Sequence, residues 1–126
     1  MEKVLKPLVW IGDSRKCLKA FPEDVRDGMG FALYRAQEGR KHPNAKPLKG
    51  FGGAGVLEVV EDYDGNTYRA VYTVKLAGVV YTLHAFMKKS KQGIATPKPD
   101  MDKVRERLKE AQRRHAEWSK GERNEP

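Results

Sequence analysis

Two periods run through the apolar positions of this chain and divide it into strands and helices. Leu8-Val9-Trp10-Ile11 is a short apolar run rich in β-branched and aromatic residues, bounded by Pro7 and Gly12, which predicts a strand. Gly12-Asp13-Ser14 then supplies a turn, and Asp13 or Ser14 can cap a helix running from Arg15 to Phe21. Pro22 suits the first turn of a second helix, where its missing N–H would have had no partner. Glu23 and Asp24 follow in that turn, where the helix dipole favours negative charge. Val25, Met29, Ala32, Leu33 and Ala36 recur at spacings of three and four, one apolar stripe, and Gly39 ends it. The spacing therefore predicts a pair of helices from about Ser14 to Glu38.

Residues 40–55, RKHPNAKPLKGFGGAG, break the pattern. Two prolines, four glycines and no carboxylate predict a flexible, positive loop carrying Arg40, Lys41, Lys46 and Lys49. Three strands follow: Val56 to Glu61, Thr67 to Lys75 and Val79 to Met87. Asp64-Gly65-Asn66 is a strong hairpin signal between the first two, and Ala77-Gly78 is a second tight turn. A basic loop, Lys88 to Lys91 with Gly93, closes this meander. A last helix starts between Thr96 and Asp100, with Met101, Val104, Leu108 and Ala111 on its apolar face. Lys103, Arg105, Arg107, Lys109, Arg113 and Arg114 occupy its other faces. Past Trp118 the tail SKGERNEP reads as disordered, so the expectation is one domain over residues 1–118 and a tail over 119–126. The order β-α-α-β-β-β-α describes an α+β domain with a small, mainly antiparallel sheet.

Strand alternation sorts the side chains of the last two strands. Arg69, Val71, Thr73 and Lys75 share one face, and Ala70, Tyr72 and Val74 the other. In the next strand Tyr81, Leu83, Ala85 and Met87 read as core, with Val80, Thr82, His84, Phe86 and Lys88 opposite. Arg69, Thr73, His84 and Lys88 are thus expected together on one exposed surface of the sheet.

Charge adds a partner to this picture. The chain has 126 residues, 39% of them apolar and 33% charged, enough for one thin core. Lys and Arg number 25 against 17 Asp and Glu, for a net charge of +8. That balance suits a polyanion or an acidic protein, and it also occurs in basic proteins with no such partner. Cys17 is alone, so no intrachain disulfide forms, and no Cys/His cluster has metal-ligand spacing. No metal or other cofactor is expected. The N-terminal residues hold no apolar stretch of signal-peptide length, and no segment approaches the roughly 20 apolar residues of a membrane span. A cytoplasmic protein without a membrane partner is the expectation.

Several stretches resemble a known family. These are Lys46-Pro47-Leu48-Lys49-Gly50, Val56-Leu57-Glu58, Gly65-Asn66-Thr67-Tyr68-Arg69-Ala70-Val71-Tyr72, Leu83-His84-Ala85-Phe86-Met87-Lys88-Lys89-Ser90 and Thr96-Pro97. Together with the element order they resemble the RelE/ParE toxin superfamily, in particular its phage-derived, HigB-like branch, over about residues 8 to 115. The resemblance implies a compact curved sheet backed by helices. It implies the toxin of a type II toxin–antitoxin system, a metal-independent endoribonuclease that cuts messenger RNA on the ribosome and so inhibits translation. The partners it implies are a cognate antitoxin carrying a helix-turn-helix domain, the ribosome and messenger RNA. ParE members share the fold and poison DNA gyrase instead, so fold alone does not fix the target.

Cleaving RNA without a metal requires alignment of the 2′-hydroxyl, stabilisation of charge on phosphorus, and proton transfer. Arg69 matches the arginine that contacts the scissile phosphate in the family's Y-R-x-x-Y strand. A strand arginine paired with Glu58 or Glu61 across the hairpin is the competing reading. Lys88 falls where the family carries a basic residue at the end of its last strand. His84 is the residue here whose ordinary pKa suits proton transfer near neutral pH. Lys46, Lys49, Lys89 and Lys91 are candidates for gripping the RNA backbone. The chain also departs from the family. VLEVVED offers acids where RelE has lysines, Gln92-Gly93-Ile94 stands where RelE has a tyrosine, and Val60 replaces an arginine frequent in HigB-like members. Phosphate contacts therefore carry over better than proton-transfer roles, and a gyrase inhibitor or a degenerate, binding-only toxin are the other readings.

Overall fold

A computed structural model describes residues 4–52, 55–88 and 96–123. Strand β1 (Leu8–Trp10) is followed by helices α1 (Ser14–Lys19) and α2 (Glu23–Gln37), strands β2 (Ala45–Pro47), β3 (Val56–Tyr63), β4 (Asn66–Thr73) and β5 (Val80–Lys88), and helix α3 (Lys98–Arg123). The strands form one sheet in the order β1-β5-β4-β3-β2. β1 pairs with β5 in parallel and the remaining neighbours are antiparallel. The α+β class and the mainly antiparallel sheet expected from the sequence are both present. No helix among the described residues is long and apolar enough to cross a membrane.

The meander forms because its turns are cheap. Asp64 (φ 49°) and Gly65 (φ 80°) both take left-handed conformations, the requirement of the two-residue turn that joins twisted strands without splaying them. Tyr63 therefore faces Asn66, and every later pair follows from that register.

Both faces of the sheet are covered. On one, Val25, Met29, Leu33 and Ala36 of α2 pack with Leu18 and Phe21 against Val59, Tyr68, Ala70, Tyr72 and Ala85. On the other, Val104 and Ala111 of α3 pack with Ile11, Val71, Tyr81 and Leu83. Met29, Val59, Leu33, Val104 and Leu83 are at most 2% exposed, and each such side chain contributes roughly 1.5–3 kcal/mol by leaving water.

Three features depart from the sequence reading. Residues 45–47 form a fifth strand inside the expected loop. It is short, and Pro47 ends it, which only the outermost position of a sheet tolerates. Helix α3 runs past Trp118 to Arg123, so the expected disordered tail is helical over residues 119–123. Residues 124–126 of that tail lie outside the described residues. Finally, the β4–β5 register shifts at Val71/Tyr72, so that Val71 faces His84 while Tyr72 faces Thr82. Leu83 is the extra residue. This β-bulge turns both Leu83 and His84 toward α3, and it moves Tyr81 there too while Val80 and Thr82 face α2. Simple alternation describes Ala85, Phe86, Met87 and Lys88 but not the four residues from Val80 to Leu83.

Candidate functional site

The register builds rows of side chains across the face beneath α3. Lys46 faces Glu58, Glu58 faces Val71, and Val71 faces His84. The next row is Val60, Arg69 and Phe86, and the one after it Asp62, Thr67 and Lys88. The strand pairing thus sets Lys46, Glu58, Arg69, His84 and Lys88 on one face, as period-two alternation requires.

That face is not the open surface expected from the sequence. Arg69 and His84 are each only 4% exposed, and Thr73 is fully buried. The reason lies in α3. Its apolar stripe needs a surface to cover, and α2 already occupies the opposite side of the sheet. Thr73 Oγ1 donates to the Gly55 carbonyl at 3.1 Å, anchoring the loop before β3.

Where the first turn of α3 stops short of β2, a groove of about 480 Å³ remains. Lys46, Pro47, Leu48 and Lys49 form one wall, Thr96 and Met101 the other, and Glu58 lies between them. The Arg69 guanidinium lies beside this floor. Its Nη1 donates to Glu58 Oε2 at 3.2 Å and to Thr96 Oγ1 at 3.3 Å, tying β4 to both β3 and the approach to α3. Lys46 and Lys49 are exposed on the rim. Two ammonium groups thus stand at the rim, and the buried guanidinium, a donor type well shaped for phosphate oxygens, lies next to the lining residues Glu58 and Thr96.

His84 lies in the same row as Lys46 and Glu58, yet it does not line the groove. Its Nε2 is 2.8 Å from Asp100 Oδ1, and its Nδ1 is 3.3 Å from Arg107 Nη1. A guanidinium can only donate, so Nδ1 accepts and Nε2–H donates to Asp100, which describes a neutral ring. Burial pulls the His84 pKa below its ordinary value, while the Asp100 hydrogen bond pulls it up. Arg107 also donates to the Leu83 carbonyl at 3.0 Å and to Asp13 Oδ1 at 2.5 Å. The ring stacks on Phe86 with centroids 5.0 Å apart. The four groups Asp13, Arg107, His84 and Asp100 thus fasten α3 to the sheet and to the turn after β1.

Of the residues singled out from the sequence, Lys46, Lys49 and Arg69 gather at the groove. Lys88 is half-buried at the end of β5, opposite Thr67, and Lys89 and Lys91 lie outside the described residues. Glu58 and Thr96 were not singled out as site residues. The signal for Glu58 was present: once Tyr63 and Asn66 close the turn, parity puts Glu58 on the Arg69 face and Glu61 on the other. Nothing local announces Thr96, whose position is set by where α3 starts.

Comparisons with known proteins add the following. A mutant of the E. coli toxin RelE in the free state is 20% identical, with a TM-score of 0.48 over 64% of this chain and 81% of that one. The RelBE2 toxin–antitoxin complex from Mycobacterium tuberculosis is 18% identical, with a TM-score of 0.45 over 71% of this chain and 98% of that one. No curated protein matches the sequence. Residues 16–109, from α1 to the middle of α3, match the family described as phage-derived protein Gp49-like. With three quarters of its length in that match, the chain belongs to the Gp49-like family.

Proposed function

We propose that this chain is the toxin of a toxin–antitoxin pair, of the HigB-like kind, and that it cuts messenger RNA on the ribosome. The groove between β2 and α3 carries this reading: it is walled by Lys46 and Lys49 and has the Arg69 guanidinium beside its floor. Its volume, about 480 Å³, falls in the range of sites that take small-molecule groups. In this reading Arg69 and Lys88 stabilise charge on the reacting phosphate, and Lys46, Lys49, Lys89 and Lys91 bind the RNA backbone. His84 enters as the anchor of α3, because both of its ring nitrogens are engaged. A net charge of +8 calls for an acidic segment of a cognate antitoxin, carried on a helix-turn-helix protein, laid over the groove.

Brief induction of the chain followed by primer extension on cellular messages tests the reading. In-frame cuts in messages being translated support it. Arg69→Ala and Lys88→Ala together should relieve toxicity while the protein still folds, and full toxicity in the double variant removes both residues from the site. A second reading is a gyrase inhibitor of the ParE type, favoured by the 4% exposure of Arg69 and the engagement of His84. Damaged DNA with intact messages would select it. Expression without harm to growth would leave a protein that only binds.

A further inference from the structure

We propose that Glu58 is the general base of this site, the group that takes the proton from the attacking 2′-hydroxyl. The proposal rests on the nuclease reading above and names the step which that reading leaves without a residue. Among the described residues that line the groove, Glu58 is the one carboxylate. Its side chain is 14% exposed, so it is shielded yet reachable from the groove, and Oε2 is fixed by Arg69 at 3.2 Å. The second oxygen is the one left to take up a proton. Lys46 stands opposite Glu58 on the neighbouring strand, on the same face. A phosphate drawn in by Lys46 and Lys49 and bound by Arg69 therefore arrives next to a carboxylate, which is the juxtaposition that proton abstraction requires.

The other candidate base is poorly placed. His84 lies across Val71 from Glu58, beneath α3, with Asp100 on one nitrogen and Arg107 on the other. A carboxylate in a strand position where purely electrostatic binding of RNA would favour lysine also needs an explanation. Pairing with Arg69 is part of it, and the opening of the groove directly onto Glu58 supplies the rest.

The step balances without any further reagent. The 2′ O–H bond breaks and its proton passes to Glu58. The 2′ oxygen bonds to phosphorus, and the bond from phosphorus to the 5′ oxygen of the next nucleotide breaks. That oxygen takes a proton from water admitted by the open groove, and the hydroxide so formed removes the proton from Glu58. The products are a 2′,3′-cyclic phosphate and a 5′-hydroxyl.

The test uses the full chain, ribosomes programmed with a message whose cut site has been mapped, and the same message carrying a 2′-deoxy sugar at that site. Glu58→Gln keeps an acceptor for Arg69 but cannot take a proton. The expected result is cutting slowed about 100-fold, the scale of one general base, with binding of the uncleavable message within about twofold of wild type. The wild-type rate should fall on acidification, and the residual rate of the Gln variant should not. Should that variant fail to fold, Glu58→Asp decides: its shorter carboxylate, held back from the 2′-hydroxyl, should slow cutting while binding of the uncleavable message stays within about twofold, and an unslowed rate overturns the assignment. A Gln variant that cuts at the wild-type rate, or one that loses binding and cutting in equal proportion, overturns the assignment and leaves the nuclease reading standing. A wild-type chain that cuts no message removes both.

Discussion

Burial draws the His84 imidazole below the ordinary histidine value of 6.5, against the pull of the Asp100 carboxylate 2.8 Å away. Arg107 and Lys103, which also face it from α3, add to the downward shift. A folded-state value below the unfolded one means that the unfolded chain binds more protons. The stability due to the neutral ring is therefore complete above pH 6.5 and is lost as pH falls through the folded-state value. Denaturant midpoints measured from pH 8 down to pH 5 should decline more steeply for wild type than for His84→Gln. Equal slopes would mean that His84 stays out of the balance. Tyr72, also buried and with its hydroxyl unpaired among the described residues, is pushed up to about 12 and contributes nothing in this range.

At the scale of elements, the turn between β1 and α1 carries more than a change of direction. Gly12 has φ 59°, and a Cβ there would lie 2.8 Å from the Arg107 guanidinium carbon. Gly12→Ala should therefore cost about 1–2 kcal/mol from the left-handed backbone alone, and more from displacing Arg107. A thermal midpoint lowered by several degrees is the expected outcome, and an unchanged midpoint contradicts it. The elements themselves were largely legible in the sequence. Val25, Met29, Ala32 and Leu33 drew α2, and Asp64-Gly65 drew the hairpin, because burial and turn sterics write directly into residue type. Three things were not legible. Strand β2 is three residues ending in Pro47, too short to show a period. The bulge at Leu83 inserts one residue into a run that is apolar on both sides, so no polarity change betrays it. Alternation read from the sequence therefore put Tyr81 and Leu83 on the wrong face, although it placed Arg69, His84 and Lys88 together. That those residues lie under a helix could not be read from strand alternation, which ranks faces but does not say what covers them.

At the scale of the whole molecule, the charge excess predicts how nucleic acid would bind. Lys46 and Lys49 stand exposed on the groove rim, where an ammonium beside a phosphate displaces counterions. Replacing either with Ala should weaken binding of a single-stranded RNA and reduce the slope of log affinity against log salt by about 0.7 for each phosphate no longer neutralised. An unchanged slope would place the RNA elsewhere on the protein. Glu110 behaves differently: hydrogen bonds from Arg113 and Arg114 hold its carboxyl down to about 2, so those two arginines of α3 are already occupied by an acid on their own helix.

The pairing of β1 with β5 has a consequence for the order in which the protein comes into being. Among the described strands β1 is made first, and its neighbour in the sheet, β5, is made last. Thr96 and Met101, the far wall of the groove, follow later still. Pairings between segments so distant along the chain form slowly and only after the intervening segment exists. Until β5 and the first turn of α3 exist, the chain therefore has neither a closed sheet nor a groove. In the nuclease reading, a ribosome making this protein is not exposed to its activity until β5 and the start of α3 have both been made.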